Sequence, residues 1–285
     1  MQRHVGTPIC RLVLLASLLT PGCALLPPPP TPTPTPTPTA TPSPTPWPSP
    51  TPEPADTGWL PQQPGIELRH VLVATGDVAE RLTIVRLVPD AVRFRVRYDP
   101  DTPLPIDGWA QRLQQPLLVV NGGYFTPENQ TTGLVVSDGQ TYGVSFGDYA
   151  GLFAVTPDEQ VSIRWLRETP YDPAEPLAQA LMSFPVLVKP GGVMGFPADA
   201  DDGRPARRTV VATDVSGRIL ILIAPRGYLS LHELARFLAD ESDLAVDVAL
   251  NLDGGYSTGL WLRTAEDPLV ADSLVPVPSV LSVSP

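Results

Sequence analysis

Short segments in which apolar and polar residues alternate dominate the chain after Trp59. The clearest spans residues 92–98 and reads Val-Arg-Phe-Arg-Val-Arg-Tyr, so one face is apolar and the other charged. This alternation is typical of a strand with one buried face. The same pattern, or a short apolar run, predicts further strands at residues 67–74, 81–88, 117–120, 133–136, 152–156, 161–165, 209–214, 219–224, 245–250 and 260–263.

Helical spacing is less frequent. Ser230 and Glu233 have the spacing of a capping box, and leucines at helical intervals then predict a helix that ends near Asp240. Residues 106–113 and 174–182 are also predicted to be helical. Because strands outnumber helices, we expect an α+β fold, a single domain with a large, mainly antiparallel or mixed sheet and a few helices.

The first 23 residues differ from the rest of the chain. Arg3 and Arg11 are the charged side chains there, and a short apolar run at residues 12–19 follows. This order is typical of an export signal, and the run is far shorter than the roughly 20 residues that span a bilayer. Cys23 resembles the acylated cysteine of a bacterial lipobox, although Thr20 stands where leucine is usual. A free Cys23 after ordinary cleavage and an uncleaved signal anchor are the alternatives.

Residues 24–56 read as a stalk. A run of four prolines is followed by repeated Thr-Pro and Ser-Pro pairs as far as Pro54. Such a segment lacks the apolar residues that a core requires and favours extended polyproline II. At about 3.1 Å per residue, about 30 residues reach on the order of 90 Å. We therefore expect one globular domain, residues 57–285, held away from a membrane.

Composition narrows the classes of partner and cofactor. The formal net charge is -11, which makes nucleic-acid binding a poor expectation. Cys10 and Cys23 both lie in the predicted signal, so the globular part has no disulfide and no cysteine metal site. Asp199, Asp201 and Asp202 could hold a hard cation or form a solvated loop. No cofactor is required by the sequence, and a divalent cation held by carboxylates stays an open alternative.

Two glycine-rich turns follow apolar strands. The first contains Asn121, Gly122 and Gly123, and the second contains Asp253, Gly254 and Gly255. Glycine lets a ligand approach the backbone closely, and consecutive N–H groups in such a turn can hold phosphate. A carboxylate at a strand end suits acid, base or nucleophilic chemistry. Each turn alone is equally typical of a plain hairpin.

Between these turns, Arg208 stands at the start of a predicted strand. Arginine can grip phosphate through two parallel hydrogen bonds. A surface charge paired with the nearby acidic residues is the alternative.

The order of these motifs resembles the phosphodiester glycosidase family over nearly all of the globular part, from about residue 71 to the end. Leu252-Asp253-Gly254-Gly255 followed by Ser257 is the most specific element, and Arg208-Thr209 and Asn121-Gly122-Gly123 support it. The chain departs from the family pattern at Ala212 and Tyr256, where glycine is usual.

The resemblance implies hydrolysis of a sugar-1-phosphodiester. It implies Asp253 as the carboxylate at the anomeric carbon, either nucleophile or general base, and Arg208 as the phosphate ligand. Asn121 and Ser257 would orient phosphate or sugar hydroxyls, and Tyr256 would stack on a sugar or narrow the pocket. Glu233 would be a second carboxylate, or only part of the capping box. The N–H groups expected to share the phosphate are those of Gly122, Gly123, Gly254 and Gly255.

The expected protein is thus an exported hydrolase of carbohydrate phosphodiesters in cell-envelope or extracellular glycans. It would be a lipoprotein on the extracytoplasmic face of a bacterium, anchored to the membrane through Cys23. The alternative is a non-catalytic envelope module that binds a glycan or a phosphodiester polymer.

Overall fold

The computed structural model describes residues 54–114, 116–147, 150–240 and 243–285. The predicted export signal, Cys23 and the stalk as far as residue 53 lie outside the described residues. Within these ranges, no helix is long and apolar enough to cross a bilayer.

The described residues form many short strands and two α-helices. The helices are α1 (Ile106–Arg112) and α2 (Leu231–Asp240). The strands are β1 (Leu60–Gln63), β2 (Ile66–Thr75), β3 (Val78–Leu87), β4 (Arg93–Tyr98), β5 (Leu118–Asn121), β6 (Val135–Ser137), β7 (Gln140–Tyr142), β8 (Gly151–Val155), β9 (Val161–Trp165), β10 (Gln179–Ser183), β11 (Val186–Lys189), β12 (Val193–Met194), β13 (Arg208–Asp214), β14 (Ile219–Ala224), β15 (Val246–Asn251), β16 (Leu260–Leu262), β17 (Leu269–Ala271) and β18 (Ser279–Ser284).

These strands form three sheets in place of the one large sheet expected. The large sheet has the order β1-β2-β3-β14-β13-β15-β11-β12. The β8 sheet has the order β7-β6-β10-β8-β9, and the β5 sheet has the order β17-β16-β5-β18-β4. Every pairing among the described strands is antiparallel, as expected. The fold is therefore richer in β-structure than a balanced α+β domain.

All three sheets contribute to one core. Phe94 of the β5 sheet and Phe153 of the β8 sheet are buried with ring centroids 5.9 Å apart, and Leu250 of the large sheet belongs to the same cluster. The opposite face of the large sheet is covered by α2, which buries Leu234 and Leu238 there. Helix α1 covers the outer face of the β5 sheet in the same way. The alternation read from the sequence follows from this arrangement, because each strand turns its apolar face toward the core.

Two of the three helix predictions are confirmed, at α1 and α2. The third, at residues 174–182, is wrong, because Gln179–Ser183 forms strand β10 between β6 and β8. Gln179 is buried, and its side-chain carbonyl accepts the N–H of Val96 at 3.0 Å. Pairing with two neighbours outweighs the local helical pattern here.

Residues 55 and 56, at the end of the predicted stalk, hydrogen-bond to β2. The carbonyl of Ala55 accepts the N–H of Leu72 at 2.7 Å. Asp56 receives both Nε and Nη2 of the buried Arg69, at 3.0 and 2.6 Å. The end of the predicted stalk is therefore attached to β2.

Asp56→Ala is expected to lower the free energy of unfolding by about 1–3 kcal/mol, because it removes the carboxylate that lies nearer to the buried guanidinium of Arg69 than that of Asp243 does. The Arg69 guanidinium holds the pKa of Asp56 below its usual value. The difference from the wild type should thus be complete at neutral pH and should shrink as Asp56 is protonated in acid. Denaturant unfolding followed by tryptophan fluorescence measures it, with Asp77→Ala, at an exposed turn, as the control. Equal losses in the two variants would contradict this assignment.

Candidate active site

The three motifs singled out in the sequence meet at one place, where the β5 sheet adjoins the large sheet. Asn121 ends β5, Arg208 and Thr209 begin β13, and Asp253 follows β15. Two backbone bonds join them: Leu252 N–H donates to the Thr209 carbonyl at 2.8 Å, and Asp253 N–H donates to the Gly122 carbonyl at 3.1 Å.

The side chain of Asn121 holds this junction together. It is completely buried. Its Oδ1 accepts the Thr209 hydroxyl at 2.8 Å and the Gly259 N–H at 3.1 Å. Its Nδ2 donates to the Asp253 carbonyl at 2.8 Å. Each of these partners belongs to the protein, so Asn121 positions the Asp253 turn rather than facing an open space.

The glycine N–H groups are also largely occupied. Gly122 N–H donates to the Ser279 carbonyl at 2.9 Å, and Gly255 N–H donates to the Arg207 carbonyl at 2.8 Å. Gly254 N–H donates to Oδ1 of Asp253 at 2.8 Å. These three groups are therefore not free to hold a phosphate. Of the four expected to do so, Gly123 is the one whose N–H has no hydrogen bond to another described residue.

Glycine is required at Gly254 by close packing of the backbone. A Cβ there would lie 2.8 Å from the carbonyl oxygen of Arg207, which real Cβ atoms do not tolerate. Gly122, Gly123 and Gly254 thus allow one chain segment to approach another, where the sequence suggested approach of a ligand, and Gly255 supplies a positive φ of 60°.

Asp253 has the electrostatic character of a reactive carboxyl group. Burial raises its pKa to about 6, although hydrogen bonds from Ser257 and the Gly254 N–H act in the opposite direction. Ser257 is itself buried, in a short 3-10 turn at Gly255–Ser257. A carboxyl group that changes charge near pH 6 can act as a general base close to neutral pH.

Tyr124 and Asn251 belong to the site but were not predicted from the sequence. Asn251 is almost fully buried, and its Nδ2 donates to the Tyr124 hydroxyl at 2.8 Å. Burial, followed by the charge of Asp253, raises the pKa of Tyr124 to about 12, so the phenol stays protonated and can donate a hydrogen bond. One signal was available: Asn251 and Asp253 are polar residues two apart at the end of an apolar strand, a spacing that puts both on one face.

Arg208 is half-buried and has no carboxylate partner among the described residues. Its Nη2 donates to the Arg204 carbonyl at 2.9 Å and its Nε to the Leu229 carbonyl at 3.4 Å. Burial lowers its pKa, and its charge in turn acts on Tyr124. A half-buried guanidinium with this environment is suited to an anionic ligand.

Arg208 and Tyr124 line a cavity of about 750 Å³, within the size range of small-molecule sites. Its wall combines aromatic rings with basic and acidic side chains, contributed mainly by the segments after β9, before β11 and before β13. The lining residues that carry aromatic or charged groups are Tyr124, Trp165, Arg167, Phe184, Lys189, Phe196, Asp201, Asp202, Arg204 and Arg208. Phe184 stacks on Tyr124 with ring centroids 4.6 Å apart.

Glu233 is not brought to this cavity. Its Oε2 accepts the Ser230 N–H at 2.8 Å, and the Ser230 hydroxyl accepts the Glu233 N–H at 3.2 Å, which confirms the predicted capping box. Its Oε1 accepts the Thr75 hydroxyl at 2.6 Å, and this bond is the main cause that lowers its pKa. Glu233 lines a separate, smaller cavity beside α2. The structure therefore supports the helix-capping alternative and gives Glu233 no contact with Asp253.

Two further predicted features lie near the site but outside its centre. Of the predicted site residues, Arg208 lines the cavity, whereas Asp253 and Tyr256 do not, and Tyr256 is 70% exposed. Asp201 and Asp202 are at the cavity rim, while Asp199 is exposed in the preceding turn. Among the described residues, no group of three or more histidine, cysteine or acidic side chains has the geometry of a metal site.

Comparisons with known proteins identify the fold and the family of the chain. No curated protein sequence matches the chain. The fold is similar to the catalytic domain of zebrafish N-acetylglucosamine-1-phosphodiester alpha-N-acetylglucosaminidase, auto-inhibited by its pro-peptide, with a TM-score of 0.62 and 21% identity over 78% of this chain and 84% of that one. A hypothetical protein from Synechocystis is similar with a TM-score of 0.52 and 18% identity, over 77% of this chain and 62% of that one.

At these identities the two structures establish a shared fold. The sequence match is more specific, because residues 114–284 fit the model of the phosphodiester glycosidase family. This match covers more than half of the chain and contains the Asn121 turn, Arg208 and the Asp253 turn. The chain therefore belongs to the phosphodiester glycosidase family.

Proposed function

We propose that the chain is a hydrolase that cleaves the bond between the anomeric carbon of a sugar and a phosphodiester. The observation that carries this proposal is Arg208, a half-buried cation with no ion-pair partner among the described residues, on a cavity it shares with Tyr124. The charges of Asp253 and Arg208 act in opposite directions on the pKa of Tyr124. A substrate whose phosphate binds Arg208 would extend past the Tyr124 hydroxyl toward the carboxyl group.

Asp253 acts as the general base. When ionised, it takes a proton from a water molecule while that water's oxygen bonds to the anomeric carbon. The bond from this carbon to the phosphate oxygen breaks, and its electron pair leaves with the phosphate. The products are the free sugar and a phosphomonoester.

Phosphate is a good leaving group, so holding its charge matters more than protonating it. Arg208 supplies that charge, and Tyr124 adds a neutral donor. Glu233 lies on another cavity and has no part in this step. Because water displaces the phosphate in a single step with Asp253 as the base, we expect the released sugar to have the inverted anomeric configuration.

Asp253→Asn is expected to lower kcat/KM at least 1,000-fold, on the order of the loss of a general base together with its charge. N-acetylglucosamine 1-(methyl phosphate) is the first substrate to test, because the zebrafish protein of similar fold is an N-acetylglucosamine-1-phosphodiester glycosidase by name. NMR of the products gives both rate and anomer. In the wild type, kcat/KM should rise with pH to a plateau above about pH 6, where Asp253 is ionised. A fully active Asp253→Asn protein would refute the assignment of Asp253. A retained anomer would identify Asp253 as the nucleophile. Binding of the substrate without turnover would favour the non-catalytic envelope module.

The same substitution has a stability signature that shows whether the variant is folded. The folded-state pKa of Asp253 lies above its ordinary value, so its contribution to stability is complete below about pH 4 and is lost as pH rises through about 6. Asparagine carries no charge, so Asp253→Asn should become more stable than the wild type at neutral pH, by on the order of 1–3 kcal/mol. Asp77→Asn, on an exposed turn, serves as the control with the same change of charge.

Tyr124→Phe is expected to reduce kcat/KM about 10- to 100-fold, because it removes one hydrogen-bond donor from the phosphate. The fold should be retained, since the Asn251 amide keeps the carbonyls of Phe184 and Leu252 as acceptors, at 3.0 and 2.7 Å. The pH at half-maximal activity should stay near 6, since Asp253 sets it. Tyr228→Phe, at an exposed tyrosine, is the matched control. Full activity in Tyr124→Phe, or a moved pH midpoint, would exclude this role.

We further propose that the protein acts outside the cytoplasm of a bacterium, on cell-envelope or extracellular glycans, as a lipoprotein anchored at Cys23. The basic start, short apolar run and small residues before Cys23 support this. The proline-rich stalk would let the domain reach substrates away from the membrane surface.

Cys23→Ser is expected to move the protein from the membrane to the soluble fraction, because a single acyl-modified residue supplies the whole anchor. Detergent phase partitioning of the full chain expressed in a bacterium, together with incorporation of labelled fatty acid, measures this. Cys10→Ser should behave as the wild type. Equal partitioning of the wild type and Cys23→Ser would rule out lipidation at this position.

A further inference from the structure

We infer that Lys189, beside Trp165, forms a second anion subsite in the cavity, so that the preferred substrate carries another negatively charged group on the side of the phosphodiester away from the sugar. This inference rests on the proposed function, in which Arg208 binds the phosphate of the bond that is cleaved. The expected aglycone is therefore phosphorylated or carboxylated and is not a neutral alcohol.

The first argument is a local reversal of charge. The whole chain has 19 basic and 30 acidic residues and only one lysine, Lys189. The cavity nevertheless has four basic residues on its wall, Arg167, Lys189, Arg204 and Arg208, against two acidic ones. A concave site of positive charge on an acidic protein concentrates anionic ligands.

The second argument is that the two acidic residues already have partners. Asp202 lies 3.7 Å from Nε of Arg204. Asp201 accepts the N–H of His232, at the start of α2, at 3.2 Å. The charges of both carboxylates act on Arg208, but neither forms an ion pair with Arg208 or Lys189, so these two cations have no direct carboxylate partner among the described residues.

Lys189 has a defined position rather than a loose one. It is the last residue of β11, it is half-buried, and its Nζ lies 4.9 Å from the centroid of the Trp165 ring at the end of β9. A cation–π contact of this kind orients an ammonium group without neutralising its charge. The ammonium hydrogens therefore stay available to an anion.

The third argument is spacing. Arg208 begins β13 and Lys189 ends β11, and β15 runs between these two strands. The register places Val210 of β13 opposite Asn251 and Val188 of β11 opposite Ala249, so Arg208 and Lys189 are also offset along β15, and their backbones are roughly 20 Å apart. One phosphate on Arg208 would leave much of the cavity of about 750 Å³ unfilled. A second anionic group further along the ligand would meet Lys189.

The test compares two substrates with the same sugar and the same cleaved bond. One is N-acetylglucosamine 1-(methyl phosphate), and the other is the phosphodiester of N-acetylglucosamine 1-phosphate with glycerol 3-phosphate, which ends in a second phosphate. The wild type should have a kcat/KM about 10- to 100-fold higher for the second, as one charge-assisted hydrogen bond provides. Lys189→Gln should remove most of this ratio, and Lys189→Arg should restore part of it. Arg236→Gln, an equal loss of charge on the exposed side of α2, should leave the ratio as in the wild type.

Calorimetric binding of both compounds to Asp253→Asn separates this inference from the proposed function. Tighter binding of the bisphosphate that depends on Lys189 supports the subsite, even if neither compound is cleaved and the proposed activity fails. Cleavage of both compounds with equal kcat/KM, and equal affinities in the presence and absence of the Lys189 side chain, would overturn the subsite while the proposed function stands.

Discussion

The site depends on the buried amide of Asn121. This one side chain bonds to Thr209 at the start of β13 in the large sheet, to Gly259 and to the carbonyl of Asp253. It therefore fixes the junction between the β5 sheet and the large sheet, which also share a core. A buried amide with all of its hydrogen bonds made specifies one arrangement, because any alternative would leave polar atoms unsatisfied in an apolar surrounding. The carboxyl group of Asp253 inherits its position from that constraint.

The position has an energetic consequence. Asp253 is surrounded by packed structure, and the donors that face it, Ser257 and the Gly254 N–H, do not compensate fully for the lost solvent. The fold thus tolerates a carboxylate that is less stable inside the protein than in water. The Asn121 hydrogen bond and the close packing of Gly254 against Arg207 hold the Asp253 turn in place, so its carboxyl group stays buried. Burial thus both raises the pKa of Asp253 and destabilises its charged form, a combination that is common at functional sites.

The elements that the sequence predicted well are those whose pattern is local. Alternation identified most of the strands that build the core, and the Ser230–Glu233 spacing identified the start of α2. The prediction of a helix at 174–182 was wrong because part of this segment pairs as a strand with β6 and β8, which are distant in sequence. For the same reason Asn121 and the glycines were expected to face a ligand, although their partners turn out to be other chain segments.

The cavity shows a second limit of sequence reasoning. Trp165 and Lys189 come from strands in different sheets, so nothing in their own surroundings indicates that they share a wall. The single lysine had no interpretation until its neighbours were known. Tyr124 and Asn251 were closer to recognition, since each lies directly beside a motif that was singled out. The sequence does not show that Tyr124 is buried, and it is burial that keeps its phenol a neutral donor.

The carbonyl groups that hold Arg208 have a consequence for binding entropy. A free arginine side chain samples many rotamers, and fixing such a side chain on a ligand costs about 0.5–1.5 kcal/mol. In this protein the carbonyls of Arg204 and Leu229 restrict the guanidinium before any ligand arrives. Because carbonyl oxygens orient the group but do not cancel its charge, the restriction leaves its attraction for an anion intact. Part of the ordering that a phosphate ligand would otherwise have to impose has thus already occurred during folding.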